Sequence, residues 1–210
     1  MVDDLDSYLA SPESYLAGHA VPIADELLKS TRPRKEWTFD DLASSINQLG
    51  NDRSFSNGKQ LFEVATCVSC HRMAGAGHEF GPDLTKLEPK QGPADLLRNI
   101  LEPSSKINDK YQSYLFEMEN GQVLTGLIVG ETADAVKVVE NPLASIEPKL
   151  LKKSEIEGRK PSPTSLMPKG LLDKLTREEI LDLVAYIAAG ADANHPLFRG
   201  GHGHGGSGGH

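Results

Sequence analysis

Two cysteines and a histidine stand together in the segment Cys67-Val68-Ser69-Cys70-His71. The chain has 2 cysteines in its 210 residues, and this segment contains both. The C-x-x-C-H spacing is typical of covalent haem attachment, because two thiols three residues apart can bond the two vinyl groups of one haem while the next histidine ligates the iron. We therefore predict one covalent haem c, bonded to Cys67 and Cys70, with His71 as the proximal iron ligand.

Two other interpretations of the cysteine pair remain open. A structural zinc ion almost always takes four protein ligands, but only His78 lies near the motif and no second C-x-x-C exists. A redox dithiol would follow a strand and begin a helix in a βαβ unit. Here the motif follows a predicted helix, and the glycine-rich segment 74–77 comes after it. These features favour haem over zinc or a dithiol.

The second axial ligand of a haem iron in an electron carrier is commonly a methionine. Met73 follows the proximal histidine too closely to reach the opposite haem face, and Met118 lies in a predicted strand where packing is the simpler role. Met167 lies in the loop Ser165-Leu166-Met167-Pro168, where rigid flanks can hold a ligand. We predict Met167 as the sixth ligand, with a gap-filling core methionine as the alternative role and His78 as the next candidate ligand.

Helices are predicted on both sides of these residues. Thr38 is a candidate N-cap for a helix over 39–49, and Ser54 or Ser56 for a helix that runs to about Thr66. A capping box of Thr176 and Glu179 begins a C-terminal helix with apolar residues at helical spacing, closed by Gly190. A further helix is predicted over 93–101, ending before Pro103.

The middle of the chain has a β pattern instead. Alternating segments at 111–118 and 122–129 flank Asn120-Gly121, a strong two-residue hairpin turn. A third strand fits 135–139, and a weaker fourth fits 145–151. Met167 lies 96 residues after His71, and residues 111–160 account for 50 of these. We therefore predict a small β-meander inserted between the haem motif and the sixth-ligand loop.

Composition restricts the function classes. The formal net charge of −8 argues against nucleic-acid binding and permits steering toward a basic redox partner. No apolar run reaches the length of a membrane span. The N-terminus is acidic and lacks the apolar region of a signal peptide. Because haem c is normally attached after export, we expect a periplasmic or otherwise exported protein whose signal is absent from this sequence.

The chain resembles a class I cytochrome c. The resemblance is carried by Gly58 and Phe62, the C-x-x-C-H motif, Gly81-Pro82-Asp83-Leu84, Met167-Pro168, and Tyr186. It implies a helical fold in which the first and last helices cross closely, with Gly58, Phe62 and Tyr186 at the crossing. It also implies that the carbonyl of Pro82 orients the proximal histidine, and that Pro82, Phe62 and Tyr186 belong to the cofactor site.

More narrowly, the chain is similar to the haem-binding cytochrome c domain described from planctomycetes and verrucomicrobia. This similarity covers roughly residues 54–190 and is carried by a strand segment around Tyr114 and by four further segments: 81–85, 100–104, 120–126 and 165–168. In that family the domain often follows a large predicted dehydrogenase. The resemblance implies a dehydrogenase as electron donor and a downstream cytochrome or oxidase as acceptor.

The predicted fold is therefore mainly α: a class I cytochrome c helical fold with the β-meander inserted. Its segments are a leader or the end of a preceding domain (1–36), an N-terminal cytochrome part (37–110), the β-rich insertion (111–160), a C-terminal cytochrome part (161–195) and a flexible Gly/His tail (196–210).

The predicted function is one-electron transfer by a mono-haem carrier rather than catalysis. The alternative is a haem enzyme or gas sensor with an open distal site, such as a peroxidase, in which His78 or Lys169 would act. A homodimer through the β-insertion is a further possibility. A basic cluster on the insertion could face an acidic partner, although a solvated surface is the commoner role: Lys149, Lys152, Lys153, Arg159 and Lys160.

Overall fold

The computed structural model describes residues 32–88 and 90–200. The predictions for 1–31 and for most of the Gly/His tail lie outside the described residues. The described part contains four α-helices and one five-stranded sheet. The helices are α1 (Phe39–Asn47), α2 (Phe55–Val64), α3 (Pro93–Leu101) and α4 (Arg177–Ala188).

The helix starts follow from side chains that cap free backbone N–H groups. At α1, the Thr38 hydroxyl accepts from the Asp41 N–H at 3.3 Å, and the Asp41 carboxylate accepts from the Thr38 N–H at 2.9 Å. Thr176 and Glu179 form the same reciprocal pair at α4. Such a box satisfies two donors that the helix itself cannot pair. The predicted starts of α1 and α4 are therefore confirmed.

The helices share one hydrophobic core. Leu61 on α2, Leu97 on α3, and Ile180, Leu183 and Val184 on α4 have no exposed surface. Burying aliphatic side chains of this size stabilises the fold by about 1.5–3 kcal/mol each. This core fixes the position of α2, and the cysteine motif comes directly after α2.

The sheet makes the fold a mixture of α and β, so the prediction of a mainly α protein is only partly supported. Its strands run antiparallel in the spatial order β4-β3-β2-β1-β5. Their bounds are β1 (Ser113–Met118), β2 (Val123–Glu131), β3 (Ala135–Val139), β4 (Lys149–Lys152) and β5 (Ile156–Pro161). The first four strands form the expected meander. The fifth was not predicted, and it pairs with β1.

The sheet is strongly curled. β4 and β5 lie at its opposite edges, yet only the 3₁₀ turn Lys153–Glu155 separates them along the chain. The two edges must therefore come close together, which gives a small, partly open barrel. Its interior is a second hydrophobic cluster with Phe116, Val136 and Val138 almost fully buried.

The chain enters and leaves this barrel at one point. The Ser162 N–H donates to the Ser113 carbonyl at 2.8 Å, and the Ser113 hydroxyl donates to the Thr164 carbonyl at 3.0 Å. Ser113 has no exposed surface. The two ends of the insertion are thus fastened to each other where they meet the helical part.

Residues at both ends of the described chain pack onto the helices. Arg32, in the expected leader, forms an ion pair with Glu179 of α4 at 2.7 Å. In the expected flexible tail, Pro196–Phe198 form a 3₁₀ turn, and the Phe198 ring lies 5.4 Å from the Phe55 ring. The N-terminal part of the described chain therefore contacts α4, and the C-terminal part contacts α2.

The Arg32–Glu179 pair predicts a pH-dependent stability. Burial alone would raise the pKa of Glu179, but hydrogen bonds from Arg32 and Thr176 outweigh it and hold the pKa below its ordinary value of 4.5. Because the folded pKa is lowered, this stabilisation is present above about pH 4.5 and is lost as the pH falls through the folded pKa. We expect Glu179→Gln to lower the free energy of unfolding by about 1–2 kcal/mol at pH 7, and by much less at pH 3, in urea titrations.

Glu178→Gln is the matched control for this prediction. Glu178 lies one residue away and pairs with Arg53, but 68% of its side chain is exposed. Exposed ion pairs contribute little, so this variant should change stability far less at pH 7. An equal loss at pH 7 and pH 3 for Glu179→Gln would contradict the electrostatic origin.

Within residues 32–88 and 90–200, none of the helices combines the length and the apolar character that crossing a membrane requires.

Candidate haem site

The cysteine motif lies at the end of α2. The backbone turns at Thr66, which adopts a left-handed conformation with φ of 60°, and a single 3₁₀ turn follows at Cys67–Ser69. The N–H groups of Cys70 and His71 both donate to the Cys67 carbonyl, at 3.1 and 2.9 Å. This turn directs the motif away from the helix axis while leaving it fastened to a rigid element.

His71 is held by the segment that follows it in the chain. Its Nδ1 lies 2.9 Å from the Pro82 carbonyl oxygen. Because a carbonyl can only accept, Nδ1 carries the proton and the Nε2 lone pair remains available for a metal. A hydrogen bond of this kind fixes both the tautomer and the ring orientation of a ligating histidine. Burial lowers the pKa of His71, and the Pro82 hydrogen bond opposes this effect only in part. The lowered pKa favours the neutral imidazole, which is the form that ligates a metal.

Gly81 makes this arrangement possible. A Cβ atom at position 81 would lie 2.5 Å from Cε1 of the His71 ring and 2.8 Å from Nδ1. The Gly81 N–H also donates to the Cys70 carbonyl at 2.8 Å. The backbone of the Gly81-Pro82 segment therefore packs directly against the imidazole, at a distance that only glycine allows.

The two thiols are in an environment that keeps them protonated. Burial raises the pKa of Cys67 to about 12, and burial also raises that of Cys70. Reactive dithiols have lowered thiol pKa values, because the thiolate is the nucleophile. The local environment is therefore unlike that of a redox dithiol.

Metal ligation by a cluster of side chains is also poorly supported. Across the described residues, no group of three or more His, Cys, Asp or Glu side chains is placed to hold a metal ion. His78 is exposed and its ring stacks on Phe80, with centroids 5.8 Å apart.

The predicted site residues from distant parts of the chain meet in one cleft. Cys67, Cys70 and His71 line it together with Met167 and Pro168. The chain thus brings the motif and the sixth-ligand candidate together across the 96 residues that separate His71 from Met167. The set of two thiols, an imidazole and a thioether fits a covalently attached haem iron with axial His and Met ligands.

The other methionine candidates lie elsewhere. Met73 is 3% exposed and belongs to the helical core. Met118 is 7% exposed and belongs to the barrel interior. Both are packing residues, as methionines commonly are, and neither lines the cleft.

The residues expected at the helix crossing lie between α2 and α4. A Cβ atom on Gly58 would lie 2.6 Å from the Tyr186 Cβ and 2.5 Å from the Asp182 carbonyl oxygen. The Phe62 and Tyr186 rings are 5.8 Å apart. None of the three lines the cleft, so in this structure they support the site through the position of α2.

A charged cluster at this crossing was missed from the sequence. The Asp182 carboxylate accepts from the Ser54 N–H at 3.1 Å and from the Asn57 side chain at 3.4 Å, with the Arg53 guanidinium at 3.6 Å. Burial raises the pKa of Asp182, against the lowering effect of these groups. An acidic residue on a predicted helix carries no sequence signal for such a role.

Two leucines in the cleft wall were also missed. Leu143 comes from the loop between β3 and β4, so the insertion contributes directly to the cleft. Leu171 comes from the segment after Met167, and it also lines an adjacent cavity of about 270 Å³ with Trp37 and Ile100. Single apolar residues in loops have no periodicity, so no sequence pattern could have identified them.

Comparison with known proteins agrees with this geometry. The family model for cytochrome c matches residues 55–140. This stretch contains α2, the Cys67–His71 motif, α3 and the first three strands, and it ends before Met167 and α4. No curated protein matches the chain. The match covers less than half of the chain and supports a class I cytochrome c domain in that part. A domain of this kind implies covalently bound haem c and haem-based electron transfer.

Proposed function

We propose that this chain carries one electron at a time on a single haem c with His71 and Met167 as axial iron ligands. The observation that supports this most directly is the shared cleft, which joins Cys67, Cys70 and His71 to Met167. A haem bound there supplies an Fe(III)/Fe(II) couple. The thioether of a methionine ligand raises the reduction potential of such a couple.

The residues around the cleft would keep the iron environment the same in both oxidation states. Pro82 holds the His71 ring through Nδ1, and Gly81 packs against the ring. The Met167 N–H donates to the Ser165 hydroxyl at 3.1 Å, which fixes the turn that carries the thioether. Fixed ligands suit an electron carrier, because they keep the structural reorganisation that accompanies each electron transfer small.

An electron carrier fits the cleft better than a peroxidase or gas sensor does. A peroxidase or a gas sensor needs polar groups near the open coordination position of the iron. On the Met167 side, the residues that line the cleft are apolar: Leu143, Pro168 and Leu171. Lys169, a candidate distal group, is exposed and paired with Glu36 at 2.8 Å, and His78 stacks on Phe80 at the surface.

The partners we propose are a dehydrogenase as donor and a cytochrome or oxidase as acceptor, in the periplasm or another exported compartment. This rests on the resemblance to the planctomycete and verrucomicrobial domain, and on cytochrome c domains being typically exported. The net charge of −8 would favour a basic partner surface.

A homodimer through the insertion stays a prediction, tested by measuring oligomer size after deletion of 111–160.

The basic cluster of the insertion is a weak candidate for a docking surface. Each of its five cations lies within 4 Å of a glutamate carboxylate. Glu131 alone pairs with Lys153 at 2.7 Å and with Arg159 at 3.1 Å. The positive charge is therefore largely neutralised on the insertion itself.

The proposed function predicts three properties of the protein matured with haem. One haem should remain on the chain after denaturation, detected by mass spectrometry. The ferric form should show the weak long-wavelength charge-transfer band of a methionine–iron bond. The ferrous form should bind carbon monoxide poorly, because Met167 occupies the distal position. Ready carbon monoxide binding would instead indicate an open distal site, and loss of haem on denaturation would contradict covalent attachment.

A further inference from the structure

Residues 34–37 lie next to the loop that carries Met167 and contact it at several points. We call this segment the N-terminal strap, and we call residues 165–175 the Met167 loop. The Lys35 N–H donates to the Asp173 carbonyl at 2.8 Å. Glu36 pairs with Lys169 at 2.8 Å, and the Trp37 indole N–H donates to the Leu175 carbonyl at 3.1 Å. Arg34 adds a longer contact to Asp173 at 3.3 Å.

Trp37 is the buried member of the strap. It is 9% exposed and belongs to the hydrophobic core of the helices. Its ring lines the cavity of about 270 Å³ together with Leu171 and Leu172 of the Met167 loop. Leu171 also lines the cleft that contains Met167. Trp37 therefore lines one cavity with Leu171 and Leu172 and also donates a hydrogen bond to Leu175 near the end of the same loop.

The Met167 loop is held both by buried side chains and by hydrogen bonds. In its second half, Leu172 and Leu175 are 2% and 5% exposed and belong to the helical core. Its first half is tied at Ser165, whose N–H donates to the Ser104 hydroxyl at 3.0 Å. Beyond Met167 it continues through Gly170, which has a φ of +86°, and through two turn hydrogen bonds, from Asp173 to Gly170 and from Leu175 to Leu172. These turns order the loop internally. The hydrogen bonds from Lys35 and Trp37 add polar contacts between this half of the loop and the strap.

The strap is itself held at both ends. Arg32 pairs with Glu179 on α4, and Thr38 caps α1 directly after Trp37. The strap therefore connects α4 to α1, and the Met167 loop contacts it between these two points. A segment fixed in this way can resist outward movement of that loop.

We propose that Trp37 is a positioning residue for the sixth ligand, and that the strap controls how readily Met167 yields its place on the iron. This inference rests on the proposed ligation by Met167. An external ligand can bind the ferric iron only in molecules whose Met167 has left, so its apparent affinity is its intrinsic affinity multiplied by the fraction of such molecules. Weakening the strap raises that fraction and tightens the apparent binding.

The test is titration of the ferric full-length protein with imidazole, followed by its absorption spectrum. Trp37→Phe keeps the aromatic ring but removes the hydrogen bond to the Leu175 carbonyl. We expect the apparent affinity for imidazole to increase about fivefold, the factor that corresponds to about 1 kcal/mol for one buried hydrogen bond. In a Met167→Ala background, Trp37→Phe should have no effect on imidazole binding, because the ligand it positions is gone.

Two control variants separate positioning from general destabilisation. Glu117→Gln breaks an exposed ion pair with Lys160 on the insertion, outside the strap and the Met167 loop, so imidazole affinity should stay within twofold. Ile46→Val truncates a buried residue of α1 in the helical core. It should lower stability to urea without changing imidazole affinity.

The outcomes distinguish this inference from the proposed function. If the wild type has no methionine–iron band, ligation by Met167 is wrong and this inference falls with it. If the band is present and Trp37→Phe leaves imidazole affinity unchanged, the role of the strap is wrong and the ligation stands. An equal increase in Ile46→Val would also overturn it, since the effect would then follow stability alone.

Discussion

Replacing Met167 with leucine should free the sixth position of the iron while keeping the side-chain volume nearly constant. We expect the methionine–iron charge-transfer band to disappear and the ferrous form to bind carbon monoxide readily. The reduction potential should fall by on the order of 0.1 V or more, because a methionine ligand raises it and axial ligands set haem potentials over about 0.8 V. Absorption spectra and a redox titration measure all three effects.

Met73→Leu and Met118→Leu are the controls for this result. Both methionines are buried in hydrophobic clusters, 3% and 7% exposed, and exchange between leucine and methionine usually costs less than about 1.5 kcal/mol in a core. Both variants should keep the band and the wild-type potential. Persistence of the band in Met167→Leu, with its loss in either control, would show that another methionine ligates the iron.

Gly58→Ala should strongly lower the free energy of unfolding, because it adds a methyl group where α2 and α4 cross. The new Cβ would lie 2.5 Å from the Asp182 carbonyl oxygen and 2.6 Å from the Tyr186 Cβ. Neither atom can rotate away, since one is backbone and the other is next to it, so the helices must separate. We expect the free energy of unfolding to fall by about 2–3 kcal/mol, measured in urea. This is a net loss, after the gain of about 1 kcal/mol in helix propensity.

Gly130→Ala is the matched control. Gly130 lies on β2, and its added Cβ would meet only the Lys137 side chain, at 3.5 Å or more. This substitution should change stability by less than about 1 kcal/mol, and it should act chiefly through the unfolded chain. If both alanine variants lost the same stability, close packing at the crossing could not be the reason that Gly58 matters.

The helical part of the fold was predictable because its signals are local. Thr38 and Thr176 cap their helices through residues three positions away, and Asn120-Gly121 marks the hairpin with Gly121 at a φ of +80°. The fifth strand gave no such signal. Its sequence contains Gly158, Arg159 and Pro161, and its pattern is mostly exposed, so only pairing with β1 identifies it as a strand.

The site divides in the same way. Cys67, Cys70 and His71 are adjacent in sequence, so their joint chemistry is visible as a motif. Met167 could be selected only by elimination and resemblance, because its neighbours in space are far away along the chain. The contributions of Trp37, Leu143 and Leu171 depend on tertiary packing alone. Residues 34–37 have no periodicity, and their contacts reach across more than 130 positions to the Met167 loop.

The hydrogen bonds that join Ser113 to Ser162 and Thr164 have a consequence for how this chain can change. The first and last residues of the barrel lie next to each other, so the distance between the two points where it joins the helical part is as short as that across a tight turn. The entropy of closing a loop grows only slowly with its length, and host folds tolerate inserted domains at such sites. A different module with adjoining ends could therefore replace the barrel without separating His71 from Met167, but the cleft would lose the Leu143 side chain that the barrel contributes.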